Sequence, residues 1–352
     1  MTSPLGKREA WHKPTVLLGS AGLNLAVAWK LKGGSGCTCL APVAYGLQRH
    51  EIFETPIAID IHATTNIPTP RTFKPELKEP TVDVLPLMDN IRRFDSVIND
   101  YQRGWCTYFY EFADVPDVEF FCGGINEKTP RASALWRQGD LLHFGFEQSP
   151  AEMNDVGRAM LVNAVVYICR FTEDRPIDIT PSVFGEEKIG LSRRRAGNYL
   201  INEDQPVDWA TNAFSAATLA TFNWRDRSEG KTWFETNGKW LHPGPGNFLE
   251  IDAEAKQLGV PFDSTDFFPK TIAALREDKT RDSAMTLLVR YAPEGPGNNA
   301  NASDWEKWWH ENSPYLFYSE LGCYRWYIDP LAKKRGIPTR NLRGPARADK
   351  QG

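Results

Sequence analysis

The sequence predicts an α/β domain followed by a mainly α-helical region with one β-hairpin. Three observations carry that expectation. Short apolar runs alternate with polar stretches through residues 1–175. A long amphipathic helix closes that part. Beyond a Pro-containing junction at residues 173–181 the apolar period becomes helical. The expected divisions are therefore residues 1–175, 182–330 and a basic flexible tail over 331–352, rich in Lys and Arg.

The elements follow in chain order. Residues 15–18 read as a strand and 23–31 as a short helix. Residues 64–80 hold Pro68, Pro70, Pro75 and Pro80, which predicts a long irregular excursion. Val-Asp-Val-Leu-Pro-Leu at 82–87, Val-Glu-Phe-Phe-Cys at 118–122 and Asp-Leu-Leu-His-Phe-Gly-Phe at 140–146 read as strands, the last apolar enough to be central. Ser149, Pro150 and Glu152 form a capping pattern. After it Met153, Val156, Met160, Leu161, Ala164, Val165 and Ile168 recur at helical spacing, so a helix is expected over 150–170.

In the second part, 231–235 and 239–242 flank Asn237-Gly238, a turn pair that predicts the hairpin. Asp252 is placed to cap a helix through Leu258, with Gly259 ending it and Pro261 beyond. Residues 271–276 and 283–291 read as helical. Ser303 and Glu306 open another helix, to about residue 312.

Composition narrows the function. The 352 residues carry 41 basic and 45 acidic side chains, a net charge of −4 that draws neither nucleic acid nor anionic lipid. No apolar run reaches the roughly 18 to 20 residues of a membrane helix. The nearest, residues 16–31, is broken by Asn24 and Lys30, so no signal peptide is expected and a cytoplasmic setting is the default. Six cysteines do not make a disulfide scaffold. Cys37 and Cys39 are the one close pair, and no second Cys/His cluster has metal-ligand spacing, so no metal and no cofactor are expected. There is no phosphate-binding glycine loop and no HExxH.

The segment DLLHFGFEQSPAEMNDVGRAMLVNAVVYICRF at 140–171 resembles the closing strand and last helix of the class I glutamine amidotransferase-like fold, and looks closest to its ThuA-like (trehalose-utilisation) group. His50-Glu51-Ile52-Phe53 is similar to a His-Pro-Ile-Phe run of that group. The resemblance covers about residues 14–171. It implies a flavodoxin-like, mostly parallel sheet, with ligands gathering at the carboxyl ends of the strands. It also implies a thiol–imidazole–carboxylate site. Glu147 stands at the carboxylate position, Gly145 at that of the His, with His143 two residues earlier, and Cys122 is the best placed thiol.

These residues set the expectations on function. Glu147, His143 and Cys122 are the catalytic candidates. Gly123, Gly124, Asn126, Trp105 and Glu111 are the ligand-binding candidates. With the His position occupied by glycine, the expected function is a non-catalytic module that binds a small polar molecule, a carbohydrate by resemblance and by the 12 Trp, or a protein partner. The alternatives are a hydrolase of a sugar-derived or amide substrate, and a structural subunit. Trp305, Trp308 and Trp309 share one helix face, as a sugar platform or, more simply, as core. Arg193-Arg194-Arg195 reads as a solvated face or an anion clamp.

Overall fold

The computed structural model describes residues 3, 5–29, 36–74, 76–91, 104–108, 114–177, 192–203, 205–320 and 322–339. They fall into two units, one within residues 3–177 and the other within 192–339. No helix among the described residues is long and apolar enough to cross a membrane.

The first unit is built on a nine-stranded mixed sheet. Its elements are β1 (Thr15–Leu18), α1 (Ser20–Ala28), β2 (Gly36–Leu40), β3 (Val43–Tyr45), β4 (Thr65–Pro68), β5 (Thr81–Pro86), β6 (Gly104–Tyr108), β7 (Val118–Gly124), β8 (Ala132–Gln138), β9 (Leu141–Phe144) and α2 (Asp155–Ile168). The strand order is β1-β9-β8-β7-β3-β5-β4, with β6 also on β8 and β2 on β6. The expected mostly parallel sheet does not form. β1 and β9 run parallel, and the other described pairings are antiparallel. For β9, expected as the central strand, a short connection explains this. β8 turns into β9 through Gly139 and Asp140, with Gly139 at φ +57°, and a link that short joins only antiparallel neighbours. The excursion at 64–80 is likewise shorter than expected, because its start pairs with β5 as an edge strand ending in Pro68.

Helix α2 begins later than the capping pattern predicts. Ser149 and Glu152 do bond, backbone N–H and hydroxyl both donating to the Glu152 carboxylate at 2.8 and 2.7 Å. That closes a separate turn. Asn154 is the cap, accepting from Gly157 N–H at 2.9 Å, while its amide donates to the Pro86 carbonyl at 3.1 Å. Met153, Met160, Ala164 and Ile168 pack on Leu142, Phe144 and Phe146 of the sheet. Val165 instead faces outward beside Val162 and Val166.

The second unit contains α3 (Arg193–Ile201), α4 (Ala216–Leu219), α5 (Arg227–Asn237), β10 (Leu241–Pro243), β11 (Leu249–Ile251), α6 (Ala253–Leu258), α7 (Phe267–Ala274), α8 (Arg281–Tyr291), α9 (Ala302–Asn312), β12 (Leu316–Ser319), β13 (Arg325–Ile328) and α10 (Pro330–Arg335). It carries two small hairpin sheets, β10–β11 and β12–β13. The hairpin expected around Asn237-Gly238 is a helix end. Asp226 caps α5 through the N–H groups of Ser228 and Glu229 at 2.9 and 3.2 Å. Asn237 and Gly238 both keep negative φ, and the Asn237 amide donates back to the Trp233 carbonyl at 3.0 Å.

Helix α6 forms as read, with Asp252 accepting from Ala255 N–H at 2.8 Å and Gly259 at φ +67°. The box on α9 sits two residues early, on Asn301 and Asp304. Trp305 is fully buried and Trp309 stacks on Phe268 at 4.8 Å, so the Trp stripe is core. The start of the expected tail is helical. Asp329 caps α10 and Gly336 ends it at φ +66°. Residues 340–352 of the tail lie outside the described residues. Arg193 is not a solvated face either. Its side chain is only partly exposed, paired with Glu320 at 2.7 Å and Asp263 at 2.6 Å.

Candidate functional site

His143 lies within β9, which runs parallel to β1, and Glu147 follows three residues after the strand ends. β1 ends at Leu18, Gly19 makes the turn at φ +48°, and α1 starts with Ser20. The Ser20 hydroxyl lies 2.7 Å from both Glu147 oxygens. A side chain at position 19 would meet Glu147 carbon atoms within 2.7 to 2.9 Å, so this turn requires glycine. A carboxylate here suits the positive end of α1. The partner of Glu147 is thus a hydroxyl and not an imidazole.

His143 lies fully buried, stacked on Trp136 at 3.9 Å with the planes 2° apart, and 5.5 Å from Trp105. Neither ring nitrogen has a hydrogen-bond partner. Burial pulls its pKa down to about 3, so the ring is neutral across the ordinary pH range. It therefore links neither Glu147 nor a thiol.

Gly145 explains why no imidazole can stand where the resemblance puts one. Its N–H donates to the Ala134 carbonyl at 2.7 Å and its carbonyl accepts from Trp105 N–H at 2.8 Å. A Cβ would come within 2.1 Å of the Trp105 carbonyl oxygen. Backbone on both sides cannot yield as a side chain does. Gly145→Ala is expected to cost about 3 kcal/mol or more in urea unfolding. An unchanged midpoint would show that the strands part easily.

The other described candidates are engaged within the fold. Cys122 sits inside the core of β7, where burial pushes its thiol far above the ordinary range and denies it thiolate character. Gly124 lets the strand pass Leu40, whose Cδ1 would lie 2.4 Å from a Cβ. Gly123 approaches the Ala132 carbonyl in the same way, at 2.8 Å. Asn126 spends its amide on its own loop, accepting from Lys128 and Thr129 N–H, both at 2.9 Å, and donating to the Gly124 and Thr129 carbonyls. Trp105 is buried beside His143. Glu111 lies outside the described residues. Among the described residues no group of three or more His, Cys, Asp or Glu is placed to hold a metal ion.

A different place has the form of a binding site. A half-open cleft of about 560 Å3 is lined by Leu47, Arg49, His50, Phe53, Glu54, Ile59, Ile61 and His62. Its lining is mixed, with apolar side chains, one cation, one carboxylate and two imidazoles. His50 starts a 3-10 turn at Glu51–Phe53, its Nδ1 accepting from Ile52 N–H at 3.1 Å. In the neutral ring the proton is therefore on Nε2. Burial lowers the His50 pKa, against the opposing pull of Glu119 and Glu51, so this neutral form holds at pH 7.

The cleft's loop is tied down from α2. The buried Asn163 accepts from Ile57 N–H at 3.0 Å and donates to the Ile57 carbonyl at 2.7 Å. Arg170 pairs with Glu51 at 2.7 Å. Behind His50, the Tyr167 ring stands edge-on to the imidazole with the ring centres 5.3 Å apart, and its hydroxyl donates to Glu119 at 2.8 Å. Arg137 holds the same Glu119 oxygen at 2.7 Å. Of the residues quoted from the sequence, His50 and Phe53 line this cleft, though neither was a candidate site residue. Two signals were available. One is a lone Asn in the apolar stripe of α2. The other is a pair of His flanking an Ile-rich run.

Set against protein-family models, curated proteins and solved structures, the chain matches none of them.

Proposed function

We propose that the first unit is a non-catalytic binding module, and that its ligand is a small hydroxylated molecule of carbohydrate size. The observation that carries this reading is the cleft beside His50. Its volume, about 560 Å3, suits a small molecule. Its lining offers donors in Arg49, His50 and His62, an acceptor in Glu54, and apolar contact from Phe53 and the two isoleucines. Asn163 pre-organises the loop, which lowers the ordering cost of binding. The hydrolase alternative is weaker, because Ser20 already engages Glu147 and His143 has no path for a proton.

The test is calorimetric titration with a panel of mono- and disaccharides and sugar acids. A ligand that binds is expected to lose about tenfold or more in affinity on Arg49→Ala or His62→Ala, both exposed positions that leave the fold intact. Asn163→Leu is expected to abolish binding and to cost about 2 to 3 kcal/mol of stability, since it leaves both Ile57 backbone groups without partners. If no member of the panel binds, or if binding is indifferent to Arg49 and His62, the reading fails.

A further inference from the structure

Three cysteines that the ligand site does not use come together where β2 meets β6. Side chains alternate along a strand, so Cys37 and Cys39 lie on one face of β2. They are joined by a disulfide, with Cα atoms 5.5 Å apart. The pairing of β2 with β6 shifts register between Cys37 and Leu40, which is the stretch this small ring spans. Across the ladder, Cys37 is the register partner of Cys106. The Cys106 thiol sulfur lies 3.6 Å from Cys37 Sγ. Cys37 has no thiol proton, so Cys106 is the donor in that contact, and it also points at the Cys37 carbonyl oxygen at 3.7 Å.

The third sulfur has its own partner. Glu127 N–H donates to Cys39 Sγ at 3.4 Å. The loop that presents this N–H is the one Asn126 binds to itself, so the donor is fixed in place. A backbone donor on a sulfur favours its anionic form, which makes it the better leaving group in thiol–disulfide exchange.

We propose that Cys37, Cys39 and Cys106 form a thiol–disulfide exchange site in which Cys37 is shared between two alternative partners. In the step, the Cys106 thiolate attacks Cys37 Sγ. The Cys37–Cys106 bond forms as the Cys37–Cys39 bond breaks. The electron pair leaves on Cys39 Sγ, beside Glu127 N–H, and Cys39 takes up a proton equivalent to the one Cys106 released. One disulfide is lost and one gained, so no oxidant or reductant is consumed.

The two states differ in what they restrain. The Cys37–Cys39 bond spans one intervening residue and constrains little of the unfolded chain. The Cys37–Cys106 bond joins residues 69 positions apart and ties β2 covalently to β6. Burial pushes the Cys106 pKa up to about 12, against the smaller opposing effects of the contact with the Cys37 backbone and of Lys128, so exchange in the folded protein is slow and the two states are separable on a bench timescale.

The experiment is alkylation of the full chain in a glutathione redox buffer, then peptide mapping under non-reducing conditions with fragmentation. Both Cys106-alkylated and Cys39-alkylated molecules are expected, each holding one disulfide, and Cys37 blocked in both. In Cys39→Ser the oxidised protein is expected to give the Cys37–Cys106 cross-link in most molecules. Two results would overturn the proposal. One is wild-type protein in which Cys106 alone of the three is ever alkylated. The other is a natively folded Cys39→Ser protein that keeps Cys37 and Cys106 both free. Should Cys39→Ser fail to fold, the wild-type labelling decides alone.

Discussion

Arg137→Met is expected to remove about 3 to 5 kcal/mol from the stability of the first unit and to disorganise the cleft with it. Arg137 is buried in β8 and reaches across the ladder to Glu119 of β7. Its Nε donates to the Glu119 carboxylate, a second nitrogen donates to the Gly139 carbonyl at 2.7 Å, and the guanidinium lies 3.8 Å from the centre of the Phe171 ring. Methionine keeps much of the packing volume and loses the charge. Glu119 would then remain largely buried with the Tyr167 hydroxyl as its only remaining donor of the two.

The pH dependence has a definite sign. Burial alone would raise the Glu119 pKa, but the Arg137 charge and the bonds from Arg137 and Tyr167 bring it below the ordinary carboxylate value. A carboxylate with a depressed folded-state pKa stabilises above its unfolded pKa, and that stability is lost as pH falls through the folded one. In Arg137→Met the burial is unopposed, the Glu119 pKa rises, and protonation relieves the unpaired charge. The difference between wild type and variant should therefore shrink as pH falls from 7 towards 4. Denaturant unfolding at both pH values measures it. Adding Glu119→Gln should recover a large part of the loss at pH 7. A cost equal at both pH values, or no recovery, would assign the effect to packing instead.

Asp252→Ala is expected to remove a similar amount, about 3 to 5 kcal/mol, from the second unit. One side chain serves three donors there. Asp252 Oδ1 caps α6 through Ala255 N–H, while Oδ2 accepts from the Tyr291 hydroxyl and from Arg290, each at 2.5 Å. The residue is 1% exposed, so water cannot replace it. Alanine leaves the buried Tyr291 hydroxyl and the cap N–H unpaired together, and leaves the half-buried Arg290 guanidinium with the longer 3.5 Å pair to Glu254. Asn at this position keeps an acceptor for the cap and is expected to cost roughly half as much. Thermal unfolding of the three proteins, followed by circular dichroism, gives the ranking. Equal losses for Ala and Asn would mean that charge, and not the cap, dominates.

The Asp252 cap was legible in the sequence, and the reason is local. A cap accepts from an N–H three residues on, and Gly259 ends the helix by its own φ, so both signals sit inside one short window. The strands at 15–18, 81–86, 118–124 and 141–144 were legible on similar grounds, through runs of apolar and β-branched residues. Asn237-Gly238 shows where local reading stops. The pair favours a turn, but Asn237 instead bonds Trp233 O and accepts from Lys256 Nζ at 2.8 Å, 19 positions away.

The rest depended on pairs no window contains. Whether strands run parallel is decided by which strands are neighbours, and the closing strand β9 turned out to lie between β1 and β8. Gly145 was read as a lost catalytic position, yet its cause is the backbone of β8 and β6 on either side. Asn163 and Ile57, 106 positions apart, build the cleft, and Arg137 and Glu119 support it. The sequence by itself determined the classes of element, several caps and the change of pattern near residue 175. The tertiary structure decided strand direction, the burial of Cys122 and His143, and where a cleft opens. The first set depends on interactions within about four residues. The second depends on desolvation and pairing between segments that only folding brings together.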